Sequence, residues 1–531
     1  MLGFGGSSLI AAVAVTISAL ISTTDATFEQ TCADLLSNLE IENATVSLVD
    51  FVPAGTNVTV PVPDPACDGP EFEIPFDLCR VSLNVSTSSR SGFKMEAWLP
   101  RNWTGRYLST GNGGIGGCIA FEDMKYAASL GFATTGSNNG HDGQNGTTFL
   151  NNDDVLADFG WRSLHTSAVV GKEITNTFYK KPHKKAYYLG CSTGGRQGFK
   201  MAQDFPEDFD GIVAGAPAFN WNNLISWSGS FYSLINASPD GFPLNATWGA
   251  IDAEILAQCD SLDGAPDGII EDPSLCKFKP ERLICPRDSA NRSACLTGKQ
   301  AETIRTVFSP LHGVNGSLIY PGYDPSPAFL EAIYDRYSRA QHVYTDHWFK
   351  YAVYNDPNLD TAVITPEEAA YAWDLNPGDL NTWSGDLSGV ASRGAKVLHY
   401  HGLADSVIAN SISNAYYEHV SRTMELPPSS LDGFYRLFRI SGMAHCSGGP
   451  GASVIGNKPD PASLDPEENV LTAMVRWVEE GVAPETVTGT AFVDDQTRVV
   501  NFKRRHCRYP YRNVYRGDGD GKDTEGWECI L

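Results

Sequence analysis

Positive charge is scarce in this chain, C-x-x-C cysteine pairs are missing, and beyond residue 22 no stretch is long and apolar enough to span a bilayer. Lys and Arg number 39 against 63 Asp and Glu, for a formal net charge of −24. Nucleic acid and anionic membrane are therefore excluded as partners, because both would be repelled. The lack of C-x-x-C argues against a zinc ribbon, and the lack of internal repeats or low-complexity tracts excludes a repeat array. No Lys or Arg precedes the first apolar run, "SSLIAAVAVTISALIS" at 7–22. That run still reads as a secretory signal with Ala26 as its cleavage edge, being too short and wrongly flanked for a membrane anchor.

What is present fits an exported protein. The chain has 531 residues, 42% of them apolar, which calls for one large domain with an insertion or for two to three domains. Its twelve cysteines are an even count. Cys259 with Cys276, Cys285 with Cys295, and Cys507 with Cys529 are spaced as local pairs, while Cys32, Cys67, Cys79 and Cys118 are further half-cystines whose connectivity spacing does not assign. N-x-S/T sequons at Asn43, Asn57, Asn84, Asn102, Asn145, Asn236, Asn245, Asn291 and Asn315 predict a glycoprotein.

From about residue 90, short apolar runs alternate with amphipathic stretches. Strands are expected at 93–100, 106–111, 131–136, 185–190 and 211–218, with helices at 161–180 and 194–205. This rhythm predicts a mostly parallel α/β sheet. It stops near residue 221; residues 225–388 are rich in Asn, Asp, Pro and Gly, and the rhythm resumes with strands at 395–402 and 434–441 and a helix at 469–481. The expected organisation is therefore a signal at 1–26, core at 27–224, a lid at 225–388 and the rest of the core at 389–531. A lid over an active site is the usual meaning of such an insertion; an unrelated second domain is the plainer alternative.

The chemistry centres on "GCSTGGRQG" at 190–198, where strand, glycine turn and helix frame Ser192 as a nucleophile elbow. A serine hydroxyl needs a histidine base and an orienting carboxylate. In an α/β-hydrolase these follow in the order Ser, Asp/Glu, His at strand ends, which selects Asp405 after "KVLHYHGLAD" and His445 after "YRLFRISGMAH". His399 and His401, in or just after the strand, are the rival bases. Thr193 supplies one oxyanion amide, and the glycine-rich loop at 109–118 the second, from Gly113 or Gly114. Cys191 precedes the serine and Cys446 follows the histidine. If Ser192 and His445 are in hydrogen-bond reach, these flanking cysteines stand near disulfide separation. In "CDSLDGAPDGIIEDPSLC" at 259–276, Asp260, Asp263 and Asp267 with the carbonyls of Ala265 and Ile269 form a hard-oxygen set for Ca²⁺, or else a metal-free acidic turn.

"GCSTGGRQG", "HGLADSVI" and "SGMAHCSGG" together resemble the tannase and feruloyl esterase family of fungal secreted hydrolases, most closely its type B feruloyl esterases. The resemblance implies an α/β-hydrolase core, a lid domain with a calcium at the acidic loop, a cysteine bridge beside the catalytic residues, and cleavage of hydroxycinnamic or gallic esters of plant cell-wall polysaccharide. Tannase activity on galloyl esters, a serine carboxypeptidase, and an inactive polysaccharide-binding protein are the rival functions.

Overall fold

The computed structural model describes residue 1 and residues 23–531, less 61–63, 66, 68, 70, 239, 244, 288–294 and 495. The expected signal run at 7–22 and the sequon at Asn291 lie outside the described residues. A nine-stranded sheet organises the chain. Its strands are β1 (Ala44–Val52), β2 (Leu78–Ser86), β3 (Gly92–Pro100), β4 (Arg106–Thr110), β5 (Phe132–Ser137), β6 (Lys185–Cys191), β7 (Gly211–Gly215), β8 (Lys396–Gly402) and β9 (Tyr435–Ile440). They lie in the order β1-β2-β3-β5-β4-β6-β7-β8-β9.

The expectation of a mostly parallel sheet holds from β5 onward, where all neighbours are parallel. The β1, β2 and β3 strands pair antiparallel at the other end. The first two precede the region where the α/β rhythm is readable. In β2 burial alternates toward Ser86, as in an antiparallel strand with one solvated face, whereas β6 and β7 are buried almost throughout.

Side-chain alternation along the inner strands divides the interior into two faces. Tyr188, Ile212, Ala214, Val397, Tyr435 and Leu437 belong to one apolar cluster. Tyr187, Leu189, Val213, Leu398, Tyr400 and Phe438 belong to the other. Helix Val470–Glu480 covers the second face. Asn469 caps it by accepting from the Leu471 and Thr472 amides, and Gly481 ends it at φ 74°. Three layers with this strand order make an α/β-hydrolase fold.

Between β7 and β8 the chain adds no strand to this sheet. It runs through helices including Trp221–Asn236, Asn245–Cys259, Gly298–Val307, Phe329–Tyr337 and Pro366–Leu375. These pack on the first face, and Ile251, Ile304, Ile333 and Trp348 share one apolar cluster with Tyr188 and Ile212 of the sheet. The segment is thus cored against the hydrolase sheet. Two hairpins, Thr486–Phe492 with Val500–Cys507 and Arg512–Tyr515 with Trp527–Ile530, follow outside the sheet. Among the described residues no helix is long and apolar enough to cross a membrane. The sequon asparagines 43, 57, 84, 102, 145, 236, 245 and 315 are all exposed.

Candidate active site

Ser192 stands between β6 and the helix Thr193–Asp204 at φ 65°, ψ −122°, a conformation that L-residues adopt only when surroundings impose it. Its amide donates to the Gly215 carbonyl at 3.0 Å, and its carbonyl accepts from Ala218 at 3.1 Å. The turn also needs missing side chains. A Cβ on Gly190 would lie 2.8 Å from the Gly194 carbonyl carbon, and one on Gly195 2.1 Å from the Gly215 oxygen. The second contact lies outside the G-x-S-x-G frame and depends on β7, so the motif does not show it.

Ser192, His445 and Asp405 converge. The Ser192 hydroxyl is 2.9 Å from His445 Nε2, and His445 Nδ1 is 2.7 Å from Asp405 Oδ2. The imidazole remains partly open, with a side-chain exposure of 22%, whereas Asp405 is fully buried. Burial pushes the Asp405 carboxyl upward, but the His445 charge and hydrogen bonds from His401 and His445 outweigh it and hold the group well below the ordinary carboxylate range. Asp405 Oδ1 also accepts from the Val407 and Ile408 amides at 2.8 and 3.0 Å. The rival bases are buried within the strand; neither His399 nor His401 is hydrogen-bonded to Ser192, and His401 instead meets the same Asp405 oxygen, at 3.1 Å.

The two loops are joined covalently: Cys191 and Cys446 form a disulfide with Cα atoms 6.1 Å apart. Cys446 sits at φ 65°, and Asn457 donates to its carbonyl at 2.8 Å, fixing the loop behind the histidine. The other cysteines pair as Cys32–Cys79, Cys67–Cys118, Cys259–Cys276, Cys285–Cys295 and Cys507–Cys529.

On the oxyanion side, Thr193 opens its helix, so its N–H lies outside the intrahelical ladder. In the facing loop the Asn112 amide is taken by Gln197 at 2.9 Å and the Ile115 amide by Gln144 at 2.9 Å. Among the described residues the amides of Gly113 and Gly114 have no partner, and the Thr193 hydroxyl donates to the Gly114 carbonyl at 2.5 Å. Gln144 and Gln197 give no signal in the sequence, since they act on these amides across 29 and 85 residues.

Two hollows meet at Ser192. One is wide and polar, bounded by Glu122, Asp123, Arg336 and Lys458. The other is a narrow slot between Trp221, Leu224, Ile225, Tyr337, Tyr344 and Val407. Sequence reading gave none of these residues a substrate role. His342 lines the slot; burial, then the Arg336 charge, lowers its pKa to about 4 and keeps it neutral.

In the acidic loop, burial and then the Asp267 charge raise the Asp260 carboxyl, while burial followed by Glu271 and Asp267 pushes Asp263 up to about 7. Asp267 is paired with buried Arg504 at 2.5 Å, and Glu271 meets the same guanidinium at 3.2 Å. Among the described residues no three His, Cys, Asp or Glu side chains converge as a metal-ligand set. The donors nevertheless suit calcium in kind, being oxygens only, and Asp267 and Glu271 add like charge to the burial that raises Asp260 and Asp263.

The sequence profile of the tannase and feruloyl esterase family matches residues 79–530. Feruloyl esterase C of Talaromyces stipitatus is 49% identical over 506 residues, 95% of this chain and 95% of that protein. The crystal structure of feruloyl esterase B from Aspergillus oryzae superposes with a TM-score of 0.91 at 49% identity, covering 95% of this chain and all of the other. Tannin acyl hydrolase from Aspergillus niger shares the fold at 23% identity, with a TM-score of 0.74 over 94% of this chain and 95% of that one.

Proposed function

The chain belongs to the tannase and feruloyl esterase family, and on that premise we propose that it is an exported serine esterase releasing hydroxycinnamic acids from esterified plant cell-wall polysaccharide. The observation that carries the mechanism is the continuous contact from Ser192 through His445 to buried Asp405. Ser192 attacks the ester carbonyl while His445 Nε2 takes its proton. The ionised Asp405 holds Nδ1 protonated and favours the imidazolium. The amides of Thr193 and of Gly113 or Gly114 receive the oxyanion. His445 then protonates the leaving alcohol, and water brought in by the same imidazole releases the acid from the acyl-enzyme.

The two hollows divide the substrate. A planar phenolic ring matches the slot walled by Trp221, Tyr337 and Tyr344, where aromatic faces and desolvation favour it. The sugar alcohol matches the wide polar side, where Glu122, Asp123 and Lys458 present hydrogen-bonding groups. Residues 225–388 then act as the lid, since they supply one wall of the slot through Arg336, Tyr337, His342 and Tyr344. The expected result on methyl ferulate, caffeate, coumarate, sinapate and gallate is turnover of hydroxycinnamates well above gallate. Preference for gallate would make the protein a tannase.

Export rests on the apolar run at 7–22, the six disulfides and the exposed sequons. Calcium at Asp260, Asp263, Asp267 and the carbonyls of Ala265 and Ile269 would neutralise the raised carboxyls and stabilise the base of the lid. Purified protein is expected to carry one equivalent of calcium and to melt lower after chelation. A hundredfold excess of calcium over Kd corresponds to about 2.7 kcal/mol of stabilisation. Absence of calcium on metal analysis, or a melting temperature unmoved by chelation, would remove the site.

A further inference from the structure

Asp405 is approached by two histidines, and the mechanism uses only one. Strand periodicity brings the second to it. His399 and His401 are two residues apart in β8, so both imidazoles leave the same face. Both are fully buried, and Ser413, from the helix Ser411–Thr423 on that face, sits between them. Ser413 Oγ is 2.6 Å from His401 Nδ1 and 2.9 Å from His399 Nε2. His399 Nδ1 is 3.0 Å from the hydroxyl of Tyr435, which lies on the neighbouring strand β9.

The partners of His401 Nε2 fix its role, and with a neutral ring the remaining links follow from it. His401 Nε2 faces Asp405 Oδ2 at 3.1 Å and the Ile408 carbonyl at 3.3 Å. Both are acceptors, so Nε2 carries hydrogen. In the neutral imidazole Nδ1 then needs a donor, which the Ser413 hydroxyl supplies. Ser413 in turn accepts from His399 Nε2–H, and His399 Nδ1 accepts from the Tyr435 hydroxyl. Burial lowers the His399 pKa well below its ordinary value, in keeping with a neutral ring. The chain Tyr435→His399→Ser413→His401 thus runs one way and ends on the carboxylate.

We infer that His401, oriented through Ser413, His399 and Tyr435, is a positioning residue for the esterase reaction. Its N–H holds Asp405 Oδ2 in the place from which that same oxygen orients His445. With only the two amides on Oδ1 to restrain it, the carboxylate would be free to tilt away from the His445 axis. Ser413 matters because without its hydroxyl the buried His401 Nδ1 is left unpaired and the ring loses the contact that fixes its orientation toward Asp405. The inference rests on the triad reading above, and the experiment separates the two.

The test measures kcat and KM on methyl ferulate and on p-nitrophenyl acetate for His401→Leu, His401→Gln, Ser413→Ala and Ser413→Thr, with Ser192→Ala as the blank. It also follows the low-field proton resonance of the His445–Asp405 hydrogen bond. His401→Leu is expected to lower kcat by about 10- to 100-fold, the scale seen when an orienting partner is removed, with KM changed less than threefold. His401→Gln, which keeps a donor, should recover most of the loss. Ser413→Ala should fall between wild type and His401→Leu, with recovery in Ser413→Thr. The resonance should move in His401→Leu and Ser413→Ala and return in the conservative variants. Wild-type kcat with an unmoved resonance in folded His401→Leu would overturn the inference. If that variant does not fold, the same result in Ser413→Ala, which deletes one oxygen, overturns it equally. Turnover retained in Ser192→Ala would instead refute the triad itself.

Discussion

Ser192→Ala is expected to reduce kcat on methyl ferulate by about 10⁴- to 10⁶-fold without changing the melting profile, and His445→Ala to do nearly the same. The two losses should not add, because the hydroxyl and the imidazole that activates it work as one unit. A small residual rate is expected in both, since the free amides of Gly113, Gly114 and Thr193 and the slot remain intact. Asp405→Asn should cost about 10⁴-fold. Here the damage has a specific source: Oδ2 accepts from both His445 and His401. An amide nitrogen in that place would meet two N–H groups, and the flipped amide would set it against the Val407 and Ile408 amides instead. Circular dichroism and thermal melting establish the fold of each variant, and steady-state kinetics gives the loss. Turnover in His445→Ala within tenfold of wild type would require another base.

The Cys191→Ser/Cys446→Ser double variant is expected to lose about a hundredfold in turnover at temperatures well below its own melting point. The bridge closes a separation of 255 residues, so the chain-entropy limit for its contribution to stability is about 5 kcal/mol. The kinetic effect has a different origin. Ser192 belongs to the turn after β6, and His445 to the loop after β9, with β7 and β8 between them in the sheet. Cys191 and Cys446 hold the adjacent backbones together, so their removal leaves the 2.9 Å contact from Ser192 to His445 dependent on loop packing alone. A displacement of about 1 Å at reacting atoms costs on the order of a hundredfold. The control is Cys285→Ser/Cys295→Ser, a local bridge with a separation of 10 residues, which should alter stability but leave turnover per folded molecule unchanged. Equal turnover in both double variants would show that the Cys191–Cys446 bridge does not align the site.

Much of the site was legible because its signals are local. The strand and glycine turn around Ser192, the strand-end positions of Asp405 and His445, and the adjacency of Cys191 and Cys446 to the reacting residues all lie within short segments, and chain order supplied the rest. The alternation from residue 93 onward likewise needs only the two periodicities of strand and helix.

Tertiary structure decided what depends on distant residues meeting. The antiparallel strands β1 and β2 are recognisable as part of the sheet only through their partners. Which loop amides remain free is settled by Gln144 and Gln197, and the slot by Trp221 and Leu224 of one helix facing Tyr337 and Tyr344 from over a hundred residues away. The acidic loop reads as a self-contained oxygen cluster in sequence, yet Arg504 from the hairpin strand Val500–Cys507 is paired with Asp267 and Glu271. His401 looked like a strand residue because its period-2 position says only that it is inward. That it donates to Asp405 while a serine on the covering helix holds its other nitrogen follows from packing: a buried imidazole must find partners, and only the folded chain determines which ones are within reach.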